Sequence, residues 1–166
     1  MTHADTCCFT GHRPARLPWG SNENSPRCRD LKERLAAALE NTYRQGYRHF
    51  LCGMAQGADL YFGEAVVALR AVHPEVKLEA AIPFEGQADR WPEADRRRRQ
   101  ALLDACDYES VVQHRYGPGC MQRRNRFMVN RSSLLLAVYD EEPGGGTAAT
   151  VLYAVQKGVP IVLLDP

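Results

Sequence analysis

The sequence contains TCCFTGHRP at residues 6–14 and HFLCGMAQGAD at residues 49–59, and both segments have the same form. Each begins with a short, unbroken apolar run and ends in a loop that carries glycine. A strand of a parallel sheet that is buried on both faces has such a run, whereas a strand with one solvent-exposed face alternates apolar and polar residues. The two segments therefore predict buried parallel strands that lead into glycine-bearing loops.

The same alternation of apolar runs and amphipathic segments continues along the chain. We expect strands at residues 6–10, 49–52, 77–82, 108–112, 134–139 and 161–164. Helical periodicity separates them at residues 27–45, from the second loop to residue 72, and at residues 93–106, 121–130 and 147–157. This pattern predicts one α/β domain over residues 1–166. Its Rossmann-like, doubly wound, mainly parallel sheet has five to six strands and helices on both faces.

Composition excludes several classes of protein. With 166 residues, 45% hydrophobic residues and a net charge of +1, the chain has the profile of a folded soluble domain rather than a disordered one. The longest apolar runs, such as residues 134–139, are far shorter than the roughly 20 residues that a membrane span requires. The first five residues are polar and no signal peptide follows, so we expect a cytoplasmic protein with no membrane partner.

The six cysteines do not form a metal-binding motif. No two of them are spaced as Cys-x-x-Cys, and Cys7, Cys8 and Cys52 lie inside the apolar runs. Free cysteine is among the most buried residue types. We therefore expect the cysteines to be small core side chains and expect no metal site.

Three connections from a strand to a helix carry glycine, at residues 10–13, 53–59 and 143–147. In a doubly wound sheet these connections meet at the carboxyl ends of the strands, where ligands bind at the point at which strand order reverses. Glycine lets backbone N–H groups approach an anion, and a helix N-terminus favours negative charge. The loops therefore predict a phosphate-bearing ligand. Neither a P-loop nor a G-x-G-x-x-G fingerprint is present, which argues against an NTP motor and ordinary NAD binding.

The loops resemble those of the SLOG superfamily, most closely its YpsA-like branch. The matching segments are FTGHRP at residues 9–14, CGMAQGAD at 52–59, IPF at 82–84, Trp91, ACDYE at 105–109, RRNRFMVNRS at 123–132, LLAVYD at 135–140 and GGT at 145–147. The resemblance covers nearly the whole chain in the right order. It implies a Rossmann-like fold and a nucleotide or nucleotide-derived ligand, such as an adenosine or ADP-ribose derivative, with no established cofactor. Related proteins often pair, so the resemblance also leaves room for a homodimer.

The enzymatic relatives in this superfamily, the LOG phosphoribohydrolases, carry Pro-Gly-Gly-x-Gly-Thr-x-x-Glu and an arginine in Arg-Lys-x-x-Met. Here Arg124 and Met128 keep the second spacing, with Asn125 in place of the lysine, but Thr150 stands where the glutamate would fall. A hydroxyl cannot replace a carboxylate that offsets developing oxocarbenium charge. The resemblance therefore favours a binding domain with a sensor or scaffold role over an enzyme, and Arg124 is the candidate for any catalytic role.

Two other functions stay open. A hydrolase that cleaves an N-glycosidic or phosphoester bond would need its carboxylate from Asp59, Asp140, Glu141 or Glu142 and would use Arg124 to bind the anion. Binding of single-stranded nucleic acid, as in the related protein DprA, is prompted by ten arginines against five acids between residues 90 and 131. We rank nucleic acid last because few aromatic side chains lie among these arginines.

We expect the ligand to contact residues from five segments: Thr10, Gly11, His12, Arg13, Gly53, Met54, Gly57, Ala58, Asp59, Phe84, Arg124, Asn125, Gly145, Gly146 and Thr147. The glycines would offer close backbone donors. Asp59 would bind a ribose hydroxyl or, alternatively, only favour the N-terminus of its own helix. Phe84 would stack on a base or close the core, and Thr147 also suits the N-cap of its helix.

Overall fold

Among residues 3–166 the sheet has six strands, which correspond to the six strands that the sequence predicts. They are β1 (Thr6–Gly11), β2 (His49–Cys52), β3 (Lys77–Ile82), β4 (Tyr108–Val111), β5 (Leu134–Val138) and β6 (Ile161–Leu164). The helices between them are α1 (Pro26–Arg44), α2 (Ala58–Val72), α3 (Glu93–Ala105), α4 (Cys120–Asn130) and α5 (Gly145–Gln156). The computed structural model describes residues 3–166 and adds two short 3₁₀ turns, His3–Asp5 and Pro14–Arg16. Most predicted ends agree with these bounds to within one residue.

All neighbouring strands are parallel, in the order β4-β3-β2-β1-β5-β6. The chain lays down β1 to β4 in one direction and then returns to place β5 on the other side of β1. Strand order therefore reverses between β1 and β5, which pair from Cys7 opposite Leu134 to Gly11 opposite Val138. This arrangement confirms the predicted doubly wound, Rossmann-like sheet. It also places the expected ligand crevice at the carboxyl ends of these two strands.

Helices cover both faces of the sheet, and each face has its own apolar core. On one face, side chains of α1, α2 and α3 pack against alternate residues of the strands, and the rings of Phe9 and Phe62 stack 4.5 Å apart. On the other face, α4 and α5 supply Met128, Val129 and Ala154 against the remaining strand residues. Because consecutive strand residues point to opposite faces, both sides of each central strand are apolar, as the unbroken runs predict.

Helix α5 begins two residues earlier than its sequence pattern suggests. Its first residue is Gly145, its N-cap is Gly144, and no side chain caps the helix. The interpretation of Thr147 as an N-cap is therefore wrong. Its side chain lies in the first turn of the helix, where it is 6% exposed. The PGGGT segment thus delivers glycine backbone, rather than a threonine hydroxyl, to the start of this helix.

The cysteines are free thiols, and five of them are buried, as expected for small core residues. Burial raises the pKa of the Cys8 and Cys106 thiols to about 12, so both stay protonated and unreactive at neutral pH. Within residues 3–166, no three His, Cys, Asp or Glu side chains are grouped as metal ligands would be. No helix in this part of the chain is long and apolar enough to cross a membrane.

Candidate functional site

A cleft of about 440 Å³ opens at the carboxyl ends of β1 and β5, where strand order reverses. Its floor is the end of β1, and its walls come from the loop after β1, the start of α2, the first turns of α4 and the start of α5. The lining residues are Phe9, Thr10, Gly11, His12, Arg13, Ala15, Arg16, Ala55, Asp59, Met121, Gln122, Arg124, Asn125, Gly145, Gly146 and Thr147. Three arginines and a single acid give this lining a net positive charge.

The loop after β1 is held from behind by the start of α2. The backbone N–H of Ala58 donates to the His12 carbonyl at 3.1 Å. Gly57 has a φ of +84°, and a Cβ there would lie 2.8 Å from the same carbonyl oxygen and 3.1 Å from the Arg13 Cα. Only glycine permits this close approach. Gly57 and Ala58 therefore position the loop rather than contact the cleft.

His12 joins the two strands at the switch point. Its side chain is 2% exposed, and Nε2 lies 3.0 Å from Asp140 Oδ1, just after β5. The same carboxylate oxygen accepts the backbone N–H of Glu142 at 3.0 Å, and this hydrogen bond lowers the pKa of Asp140 below its ordinary value, with His12 adding to the effect. His12 thus has a structural partner, although its ring still borders the cleft.

Asp59 is a buried carboxylate in the first turn of α2. It is 6% exposed, and Oδ2 accepts the backbone N–H of Ala55 at 3.1 Å. Burial raises the pKa of this carboxyl above its ordinary value, while the nearby Arg124 guanidinium opposes that rise. Asp59 is the one acid among the residues that line the cleft, so it is the natural acceptor there for hydroxyl groups of a ligand.

Arg124 is the most deeply placed cation of the cleft, with 3% exposure. Its Nη1 donates to the Gly53 carbonyl and, at 3.3 Å, to that of Ala81, and its Nε donates to Asn125 Oδ1 at 2.8 Å. Within residues 3–166 its Nη2 has no hydrogen-bond partner. Burial lowers the pKa of this guanidinium, with Asp59 opposing, but arginine remains charged. Arg124 therefore offers the two N–H groups of its Nη2 to an anion.

The start of α5 supplies the opposite wall. Gly145 and Gly146 are exposed at the first turn, where the backbone N–H groups have no partner within the helix. A Cβ on Gly146 would lie 3.9 Å from Asn125 Nδ2, so the amide of Asn125 is directed towards this turn. Arg16 reaches across from the 3₁₀ turn and donates from Nη1 to the Gly144 carbonyl at 2.5 Å. Backbone donors, an amide and two arginines thus converge on one volume.

The structure brings together ten of the fifteen residues that the sequence predicts to contact a ligand. Gly53, Met54, Gly57, Ala58 and Phe84 are not among the lining residues. Gly53 lies behind Arg124 and Asp59, because a Cβ there would be 2.8 Å from the guanidinium carbon and 2.9 Å from Asp59 Oδ2. Met54 is fully buried in the core. Phe84 packs edge-on against Tyr116, with ring centroids 5.4 Å apart.

Sequence reasoning missed several lining residues, of which Arg16 is the most consequential. Arg16 follows Arg13 by one turn of a 3₁₀ helix, so the two can face the same side, but the sequence gives no sign that Pro14 starts such a turn. Met121 and Gln122 precede Arg124 and Asn125 by three residues on α4. The three-residue spacing of an α-helix places them on the same face and could have identified them.

The family model described as the YspA SLOG family matches residues 7–161. A UPF0398 protein of Halalkalibacterium halodurans is 33% identical over 117 residues, which are 69% of this chain and 60% of that protein. A UPF0398 protein of Bacillus cereus strain B4264 is 29% identical over 151 residues, which are 90% of this chain and 82% of that protein. The chain thus spans about 60% of the length of the first relative and most of the second.

Two solved structures share the fold. The protein TM1055, a target of the Northeast Structural Genomics Consortium, superposes with a TM-score of 0.57 and 12% identity, over 95% of this chain and 72% of that one. DNA processing protein A from Helicobacter pylori, whose single-stranded DNA binding mode was described, superposes with a TM-score of 0.61 and 16% identity, over 99% of this chain and 66% of that one. At these identities the likeness concerns the fold alone.

Proposed function

The chain belongs to the YspA SLOG family, and we propose that it binds a phosphate-bearing nucleotide or nucleotide-derived ligand in the cleft at the carboxyl ends of β1 and β5. Family membership fits a binding role. The observation that carries the more specific proposal is the convergence on one volume of Arg124, the start of α5 and the buried carboxylate of Asp59. A role as a sensor or scaffold would follow from binding without turnover.

The phosphate would bind between α5 and the arginines. Unpaired backbone N–H groups and the positive end of the helix dipole make the first turn of a helix favourable for an anion. Arg13 is exposed at the rim with no ion-pair partner among residues 3–166, and Arg16 is held nearby by Gly144. Arginine is suited to phosphate because its planar fork donates two parallel hydrogen bonds.

The sugar would bind nearer the floor, against Asp59 and Thr10. A ribose offers hydroxyl donors, and the Asp59 carboxylate is the acceptor that the cleft presents to them. The cleft volume of about 440 Å³ lies within the roughly 300–1,000 Å³ that is typical of small-molecule sites. This division of the cleft into a cationic and a hydroxyl-binding end is what favours a nucleotide over a simple anion.

A thermal-shift series tests the proposal, with AMP, ADP and ADP-ribose as ligands and adenosine as the matched compound without phosphate. A ligand at 100 times its dissociation constant adds about 2.7 kcal/mol to the free energy of unfolding. We expect a clear rise in melting temperature with the phosphate-bearing compounds and a much smaller one with adenosine. No response to any nucleotide, or an equal response to adenosine, would contradict the proposal.

Variants at the rim assign the response to the cleft. The Arg13 side chain makes no hydrogen bond within residues 3–166, so Arg13→Gln removes a cation and the protein should fold normally and bind nucleotide more weakly. Arg29→Gln is the matched control, since Arg29 is an exposed arginine on α1 whose side chain has no hydrogen-bond or ion-pair partner among residues 3–166 and does not line the cleft. The proposal requires that the first variant weaken nucleotide binding and that the second leave it unchanged.

A nucleotide hydrolase is the second candidate, and the specific observation in its favour is Asp59. Of the four acids that could serve, Glu141 and Glu142 are exposed outside the lining, and Asp140 is bound to His12. The Thr150 hydroxyl donates a hydrogen bond to the Gly146 carbonyl at 2.8 Å. The position at which the LOG enzymes carry a glutamate therefore supplies no carboxylate here. Chromatography of AMP and ADP-ribose incubated with the protein decides the point, because sustained release of base that Asp59→Asn abolishes would establish the enzyme.

A further inference from the structure

A chain of buried polar side chains runs from α3 to Arg124 in the cleft. Arg99, on α3, is 9% exposed and donates from Nη2 to Gln87 Oε1 at 3.0 Å. Gln87, in the turn after β3, is 7% exposed and donates from Nε2 to the Gly53 carbonyl at 3.0 Å. The same carbonyl accepts a hydrogen bond from Arg124 Nη1. The chain therefore connects a helix on one face of the sheet to a helix on the other, although neither Arg99 nor Gln87 lines the cleft.

Arg99 fixes the orientation of the Gln87 amide. A guanidinium only donates hydrogen bonds, so the oxygen of this amide must face Arg99 and its NH2 group must face the Gly53 carbonyl. Arg99 is the one buried member of the four successive arginines at residues 96–99, and its Nε has no hydrogen-bond partner within residues 3–166. Burial lowers the pKa of this guanidinium, but arginine stays charged. An apolar side chain would fill the same space without the cost of desolvating a charge, so packing alone does not explain an arginine here.

The Gly53 carbonyl belongs to a strained peptide group. The nitrogen of this peptide is that of Met54, which is fully buried and has a φ of +61°. A residue other than glycine is strained in this left-handed region and persists there only where its surroundings hold it. A carbonyl oxygen has two acceptor positions, and the donors from Gln87 and Arg124 occupy both. These two hydrogen bonds therefore hold the peptide in its strained orientation.

We propose that Gln87 and Arg99 are positioning residues, which hold the Arg124 guanidinium, through the Gly53 carbonyl, in the orientation that it presents to the cleft. With Nη1 and Nε of Arg124 held by hydrogen bonds, Nη2 is the group that is left for an anion. Loss of the Gly53 contact would let the guanidinium turn, and a ligand would then have to order it on binding. The consequence for ligand affinity rests on the proposed nucleotide function, whereas the positioning of Arg124 does not.

Hydrogen exchange of the Arg124 Nε–H in the ligand-free full chain, followed by nitrogen-15 NMR, tests the positioning directly. Gln87→Met keeps a side chain of similar length but cannot donate to the Gly53 carbonyl. We expect the Arg124 Nε–H to exchange faster by about fivefold or more, the factor that corresponds to one lost hydrogen bond. Backbone amides of β1 are the internal reference, because a general loss of stability would speed their exchange as well. An unchanged Arg124 signal, or equal acceleration of the β1 amides, would overturn the proposal.

Arg99→Met separates positioning from stability. It replaces a buried cation by an apolar side chain, so the free energy of unfolding should not fall, but the Gln87 amide loses the group that orients it. The Arg124 Nε–H should therefore exchange faster while the β1 amides keep their rates. Arg96→Met is the matched control, because Arg96 is an exposed arginine of α3 whose side chain has no hydrogen-bond or ion-pair partner among residues 3–166. Equal effects of Arg99→Met and Arg96→Met on the Arg124 signal would refute the role of Arg99.

Titration with ADP, followed by calorimetry, tests the consequence for binding. Gln87→Met and Arg99→Met should each weaken ADP binding by about fivefold or more, and Arg96→Met should leave it unchanged. If the parent protein binds ADP and all three variants bind it equally well, the inference fails and the proposed function stands. If the parent protein binds no nucleotide, the proposed function fails, and the exchange of the Arg124 Nε–H still decides whether Gln87 and Arg99 position that side chain.

Discussion

Replacing Gly57 by alanine tests how the cleft is held open. Gly57 is the N-cap of α2, with φ +84° and ψ −130°, and an added Cβ would lie 2.8 Å from the His12 carbonyl oxygen and 2.9 Å from the Pro14 Cδ. These neighbours are backbone and a fixed ring, so neither can turn away as a flexible side chain could. The His12 carbonyl must move, and its hydrogen bond from Ala58 must lengthen.

Comparison with a second glycine separates the free-energy cost of the steric contact at Gly57 from the cost of backbone strain. Gly144 is the N-cap of α5 with φ +88° and ψ 156°, and a Cβ there would meet nothing within 4 Å. Gly144→Ala should therefore cost only the strain of a positive φ, about 1–3 kcal/mol. Gly57→Ala should cost this and a further ~1–3 kcal/mol for the steric overlap.

Urea denaturation followed by circular dichroism measures both free energies of unfolding. For a chain of this length each kcal/mol corresponds to about 2–4 °C in melting temperature, so a thermal melt should rank the variants in the same order. The displaced loop carries Arg13, and Gly57→Ala should therefore also weaken any nucleotide response. Equal destabilisation by the two substitutions would show that the contact of Gly57 with the His12 carbonyl does not constrain the loop, and the reasoning would be refuted.

Three further substitutions test other contacts. Gly63→Ala would place a Cβ 2.4 Å from the Cδ2 of Leu102, so either the buried Leu102 side chain must leave its rotamer or α2 and α3 must separate. Chemical denaturation should show a loss of about 1–3 kcal/mol, and no loss would mean that this contact relaxes without cost. Burial raises the pKa of Asp59, so its favourable contribution is present below the ordinary value of 3.8 and is lost as the pH rises through the raised value. Asp59→Asn should therefore gain stability relative to the parent as the pH rises towards neutrality, in urea titrations at each pH, whereas a constant difference would contradict the assignment. The hydrogen bond from His49 lowers the pKa of Glu79, so its contribution is present above 4.5 and is lost as the pH falls through the lowered value. Glu79→Gln should flatten the acid end of the stability curve, and an unchanged curve would contradict this.

The sequence predicted the sheet well because its signal is local and repeated. The central strands are buried on both faces and therefore form apolar runs. The expected bounds of β2, β3 and β6 agree fully with the structure, and those of β1, β4 and β5 differ by one residue at the carboxyl end. Strand order was not visible in any single run. The alternation of strands and helices predicted a doubly wound parallel sheet, but the order β4-β3-β2-β1-β5-β6 depends on contacts between distant strands and was not predicted.

The site was predicted less completely because it depends on contacts between distant segments. Arg124 was selected by its spacing to Met128, but its role as a support between the Gly53 and Ala81 carbonyls arises only when β2, β3 and α4 are assembled. Gly53 was expected to face the ligand and instead lies behind that guanidinium. Phe84 follows a strand end just as Gly11 does, yet β3 lies two strands away from the switch point.

The bond between His12 and Asp140 joins residues that are 128 positions apart in the chain. A ligand held by the loop after β1 on one side and by α5 on the other would tie the same two distant segments together. It would then act as a removable cross-link, limiting the separations that these segments can sample in partly opened states. Ligand binding should therefore slow amide hydrogen exchange along β1 and β5 well beyond the residues that touch the ligand. The bound molecule would then stabilise the centre of the sheet against partial unfolding.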